Sequence, residues 1–122
     1  MLIMNSPDDK FIPWQGGAMK RGVGGTLLSV DATIDFWKNW NRCTETKQEV
    51  RPKAVPTDKT NVTVTRHTRC QGNASVVLQK IEGGGHTWPG GEAQPAWLVG
   101  VTSQEVNATQ ETWNFFEKQS LQ

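Results

Sequence analysis

The sequence predicts a mixed α/β fold, and three stretches carry that expectation. "LIMN" at residues 2–5 is a short apolar run that halts at Ser6-Pro7-Asp8-Asp9, as a buried strand halts at a turn. "SVDATIDFWKNWNRC" has helical periodicity, and residues 62–82 alternate and turn as a β-hairpin does. With 122 residues the chain is one domain's worth of material, taken as 1–122, and enough to bury about two thirds of its unfolded surface.

A buried strand at the very start of a chain needs neighbours on both sides. The remainder supplies few strands of the parallel type, so partner strands are expected upstream of Met1. After this strand, residues 8–25 carry five glycines and one proline, which predicts a long irregular loop of the functional or mobile kind.

The helix that follows has Ser29 as N-cap and Asp31 in its first turn. Val30, Thr33, Ile34, Trp37 and Trp40 share one broad face, and core packing is the expected role of both tryptophans. Residues 44–60 are polar and hold prolines at 52 and 56, which predicts a surface connection with room for a short extended piece. In the hairpin, Val62, Val64, Arg66 and Thr68 alternate with Thr63, Thr65 and His67. "CQGNA" supplies the turn and "SVVLQKIE" the second strand. A last helix is expected within "TSQEVNATQETWNFFEKQ", with Thr102 and Glu105 at capping-box spacing and Val106, Gln110, Trp113 and Phe116 along its stripe.

Composition excludes several classes of function. Thirteen Lys plus Arg stand against 12 Asp plus Glu, so nothing calls for nucleic acid or an anionic membrane. No apolar run approaches the ~18 residues of a membrane span. The opening residues lack the basic start and long apolar middle of a signal peptide. With two cysteines and no Cys-x-x-Cys, a metal site is not expected. Cys43 and Cys70 are either two separate thiols or one disulfide, the latter adding about 3 kcal/mol on chain-entropy grounds.

The candidate chemistry centres on "IEGGGHTWPGG", residues 81–91. Glycines before His86 permit close backbone approach, while Trp88-Pro89 stiffens the other flank. A loop histidine just past a strand stands where open α/β sheets keep their chemistry. His67, in mid-strand, is expected to be a packing or surface residue. A general-base histidine needs an orienting carboxylate, and Asp8 and Asp9 follow the first strand. The acid-then-histidine order is that of α/β-hydrolases.

On these residues the chain resembles the esterase family of polyhydroxybutyrate depolymerases and feruloyl or acetylxylan esterases, which have the α/β-hydrolase fold. "PDDKFIPWQGG" is similar to its acid loop and "IEGGGHTWPGG" to its histidine loop. "ATIDFWKNWNRC", the second cysteine before a glycine, and "ATQETWNFF" extend the likeness over nearly the whole chain. The resemblance implies Asp9 as catalytic acid, His86 as catalytic base, a Cys43–Cys70 disulfide, no cofactor, and a secreted or periplasmic protein. The chain departs from the family at Asn5-Ser6-Pro7, where Gly-Thr is usual, and at Lys10, where proline is common; Asp8 is the alternative acid. Trp14 and Trp88 flank the two loops and are expected either to wall the acyl group or to shield the triad.

None of Ser6, Ser29, Ser75, Ser103 and Ser120 lies in a Gly-x-Ser-x-Gly elbow. The resemblance therefore implies the C-terminal part of a hydrolase, with nucleophile and oxyanion loop in a missing N-terminal half. Its partners would be that half and an ester substrate, polymeric or aromatic in its acyl group. Two other classes stand beside this: a noncatalytic short homologue, alone or as an oligomeric binding module using its tryptophans, and an unrelated small protein whose Trp-rich surface holds carbohydrate or another apolar ligand.

Overall fold

Strand β6 (Val76–Glu82) organises the molecule. It lies between β1 (Leu2–Asn5), which runs parallel to it, and β5 (Asn61–Thr68), which runs antiparallel. In this computed structural model, which describes residues 1–19 and 24–119, β4 (Glu45–Val50) pairs antiparallel with the outer side of β5 and completes a sheet of order β1-β6-β5-β4. The chain is mixed α/β. Residues 20–23 of the expected loop, and Ser120, lie outside the described residues.

Because successive strand residues point to opposite faces, the apolar run of β6 feeds two cores at once. Val76 and Leu78 pack on one face with Val30 and Ile34 of helix α1 (Val30–Trp40), joined by Ile3, Trp14 and Trp37. Val77 and Ile81 pack on the other with Val62, Val64 and Val106, flanked by Leu2 and by Phe115 of the last helix. Val64 and Val76 are fully buried, each contributing about 1.5–3 kcal/mol relative to exposure.

Helix α1 starts where expected: Ser29 Oγ accepts the Ala32 N–H at 3.0 Å. Of the expected apolar face, Val30 and Ile34 are buried and Trp37 is half-buried, whereas Trp40 is 72% exposed. Trp40 thus departs from its expected packing role.

One expectation is made definite and two are corrected. Residues 44–60 contain the six-residue strand β4. Its side chains are exposed throughout, so no apolar period announced it; backbone pairing with β5 holds it in place. Within the glycine-rich loop, β2 (Gly17–Ala18) forms a two-residue ladder with β3 (Thr26–Leu27), which directly follows the loop. Beyond it lie a four-residue helix, α2 (Ala96–Val99), and the terminal helix α3 (Ala108–Phe116), whose N-cap is Asn107, accepting from the Gln110 N–H at 3.0 Å. Thr102 and Glu105 form no capping box. Both are buried, and Glu105 binds Lys53 Nζ at 2.7 Å and the Ala54 N–H at 2.7 Å. Trp113 and Phe116 point to solvent, while Phe115 and Glu111 face the sheet, the latter accepting from Gln79 Nε2 at 2.8 Å.

Candidate active site

Since β1 and β6 are parallel neighbours, the loops that leave their carboxyl ends emerge side by side. Ser6 and Asp8 then stitch those loops together. The Ser6 hydroxyl donates to the Gly84 carbonyl at 2.8 Å and accepts the Asp8 N–H at 3.1 Å, while Asp8 Oδ2 accepts the Gly83 N–H at 2.7 Å. Gly83, at φ +77°, makes the turn out of β6 that a residue with Cβ would resist.

The stitched loops bring together Asp9 and His86, 77 residues apart in sequence, with Asp9 Oδ2 2.9 Å from His86 Nδ1. The other oxygen, Oδ1, accepts the N–H groups of Phe11 at 2.7 Å and Ile12 at 3.0 Å, so the carboxylate cannot rotate freely. Its side chain is 7% exposed and that of His86 49% exposed. A nearly buried acid thus anchors a ring that remains open to solvent. The Phe11 ring lies beside the imidazole, centroids 5.0 Å apart. Among the described residues Nε2 has no hydrogen-bond partner. With Nδ1–H donated to Asp9, Nε2 is the free acceptor, the tautomer a general base requires.

Of the two candidate acids, Asp9 therefore meets the histidine, and Asp8 serves the loop. A cavity of about 470 Å³ opens beside the pair, lined among others by Ile12, His86, Trp88 and Pro89. Trp88 sits at this cavity with its indole N–H donated to Thr109 Oγ1 at 3.0 Å. Trp14 does not line it: the indole packs against the α1 core, and its carbonyl accepts the Val30 N–H at 2.9 Å. Three of the four described serines have other roles. Ser29 caps α1, Ser6 is the loop stitch, and the buried Ser103 hydroxyl shares a 2.6 Å hydrogen bond with Thr60.

A strap at residues 99–106, which sequence reasoning missed, backs the histidine loop. Gly85 N–H bonds to Val101 C=O at 2.8 Å, His86 N–H to Val99 C=O at 2.6 Å and Gly90 N–H to Ser103 C=O at 2.7 Å. The strap is in turn fixed from residues 53–60. Lys53 beside Glu105 holds that carboxyl below the usual range. For Asp58, burial pushes upward, but the N–H groups of Thr60 and Gln104 outweigh it and hold the carboxyl low.

Cys43 and Cys70 form a disulfide. His67 is buried, with Nδ1 2.8 Å from Thr46 Oγ1, as expected of a packing residue. No helix among the described residues is long and apolar enough to cross a membrane. No family model, curated protein or solved structure matches the chain.

Proposed function

We propose that this chain supplies the acid and the base of a Ser-Asp-His triad in an esterase of the α/β-hydrolase fold. The observation that carries the reading is the Asp9–His86 pair at the carboxyl ends of two parallel strands, with Nδ1 engaged and Nε2 open beside a cavity. In this reading β1 and β6 are the last parallel strands of a larger sheet, and the nucleophile stands on a segment beyond these 122 residues. That segment's serine would attack a carboxylic ester. His86 Nε2 would take the serine proton and deliver it to the leaving alcohol, while Asp9 fixes the tautomer and stabilises the imidazolium. Trp88, exposed at the cavity, suits a polyhydroxyalkanoate, feruloyl or acetylxylan acyl group. The disulfide is compatible with a secreted or periplasmic location.

The test is hydrolysis of p-nitrophenyl butyrate by the chain alone and by the chain joined to an upstream segment bearing Gly-x-Ser-x-Gly. Alone, the chain and its His86→Ala variant are expected to be equally inactive, because the oxyanion donors and nucleophile are missing. Joined, the parent turns over and His86→Ala abolishes it, by ~10⁴-fold or more. Robust turnover by the isolated chain that depends on His86 would overturn the half-site reading.

A further inference from the structure

The three non-glycine residues in the described chain with left-handed backbone are Arg42 (φ 52°), Arg69 (φ 51°) and Asn73 (φ 55°), and all flank the Cys43–Cys70 disulfide. Such conformations are uncommon outside glycine and asparagine, so their concentration marks backbone held in place by its surroundings. The disulfide ties the end of α1 to the hairpin turn. The Gln71 N–H bonds to the Asn41 carbonyl at 2.8 Å, and the Arg42 N–H to the Asn39 carbonyl at 3.0 Å.

Between the two segments lies a groove of about 460 Å³ whose walls are Asn39, Trp40, Arg42 and Gln71. Phe36, one helical turn earlier, stacks on Trp40 with ring centroids 6.1 Å apart and planes inclined by 15°, steadying the indole. The groove shares no residue with the cavity beside His86. It adjoins the amino end of β6, whereas His86 follows the carboxyl end, and a seven-residue strand separates the two by roughly 20 Å.

We propose that this groove binds a neutral polysaccharide, one sugar ring lying on Trp40 with its hydroxyls bonded by Asn39, Gln71 and Arg42. A pyranose ring has an apolar C–H face and a rim of hydroxyls that both donate and accept. The indole matches the first, while the amides and the guanidinium match the second. An apolar polyester would share the indole with Phe36, but it offers acceptors and no donors, and so would leave the side-chain carbonyl oxygens of Asn39 and Gln71 unmatched. A polyanion would call for several free cations, and the two nearest in sequence to the walls besides Arg42 are already paired, Lys38 with Asp35 at 2.7 Å and Arg69 with Glu45 at 2.8 Å. The inference does not depend on ester hydrolysis: binding is measurable without turnover.

The experiment is native affinity electrophoresis of the full chain in gels containing arabinoxylan, hydroxyethylcellulose or galactomannan. Indole N–H shifts during titration with the matching oligosaccharide locate the site in the parent. At least one neutral polysaccharide is expected to retard the parent, with the Trp40 indole shifting. Trp40→Ala should weaken retardation tenfold or more. Arg42→Asn, which tolerates the left-handed backbone, should weaken it severalfold. Trp97→Ala removes a tryptophan 82% exposed elsewhere and should bind as the parent does. Absence of retardation by all three polysaccharides, an equal loss in Trp97→Ala, or Trp40-dependent binding only to a polyhydroxybutyrate film or to heparin would overturn the proposal.

Discussion

Asp9 divides its carboxylate: Oδ2 meets His86 Nδ1 at 2.9 Å, while Oδ1 is occupied by the N–H groups of Phe11 and Ile12. Asp8, one residue earlier, spends Oδ2 on the Gly83 N–H. Adjacent carboxylates thus have different work, and substitution separates them. In the joined enzyme, Asp9→Asn is expected to lower kcat by ~10⁴-fold, since an amide supports the wrong tautomer and leaves the imidazolium unpaired. Asp8→Asn keeps an acceptor for Gly83 and should cost less than about tenfold. Steady-state kinetics on both variants checks this.

Gly85 is confined by the strap. A Cβ there would lie 2.2 Å from the Val99 carbonyl oxygen and 2.5 Å from Gly100 Cα, both backbone atoms with little room to retreat. Gly85→Ala should therefore destabilise by about 1–3 kcal/mol in urea unfolding. It should also accelerate amide exchange at His86, whose N–H bonds to the same strap.

Replacing both cysteines by serine is expected to cost about 2–4 kcal/mol of stability by urea unfolding, from the freedom regained by the unfolded chain. Mass measurement after alkylation, with and without reductant, should report one disulfide and no free thiol in the parent.

Acid lowers stability through two sets of groups. His67 has its pKa held below the ordinary value by burial and by Lys38, with Asp35 opposing. The folded state therefore resists a proton that the unfolded chain accepts. This contribution is fully present above the unfolded pKa of about 6.5 and is lost as pH falls from there through the folded value. His67→Gln should flatten that part of the stability curve. Glu105 and Asp58, both held low, contribute stability above the unfolded carboxylate range and lose it as pH falls through their folded values. Glu105→Gln should remove part of the acid limb near pH ~4. Urea titrations at stepped pH measure both.

What could be anticipated from the chain was local. Ser29 as cap, the hairpin turn at "CQGNA" and the glycine-flanked His86 each depend on a few neighbours in sequence, so composition exposes them. Choosing Asp9 over Asp8 depends on which amides lie opposite, which only the parallel pairing of β1 with β6 decides. Glu105 has helix-cap spacing from Thr102, but Lys53, 52 residues away, claims its carboxylate. Strand β4 has no apolar alternation because neither face is covered. Trp37 and Trp40 share a helix, yet the width of the underlying core admits only the first.

The two borders of the sheet are unlike. Along β4 run Glu45, Lys47 and Glu49, with Glu45 and Glu49 paired to Arg69 and Arg66, and such a charged margin repels a newcomer strand. Along β1 run Leu2, Ile3 and Met4, with no charge among them, and on the side away from β6 no described strand pairs with their backbone. The sheet is consequently a one-way template. Any strand added to it, native or foreign, would find open backbone at β1, and the same margin is where overconcentrated protein would begin to associate.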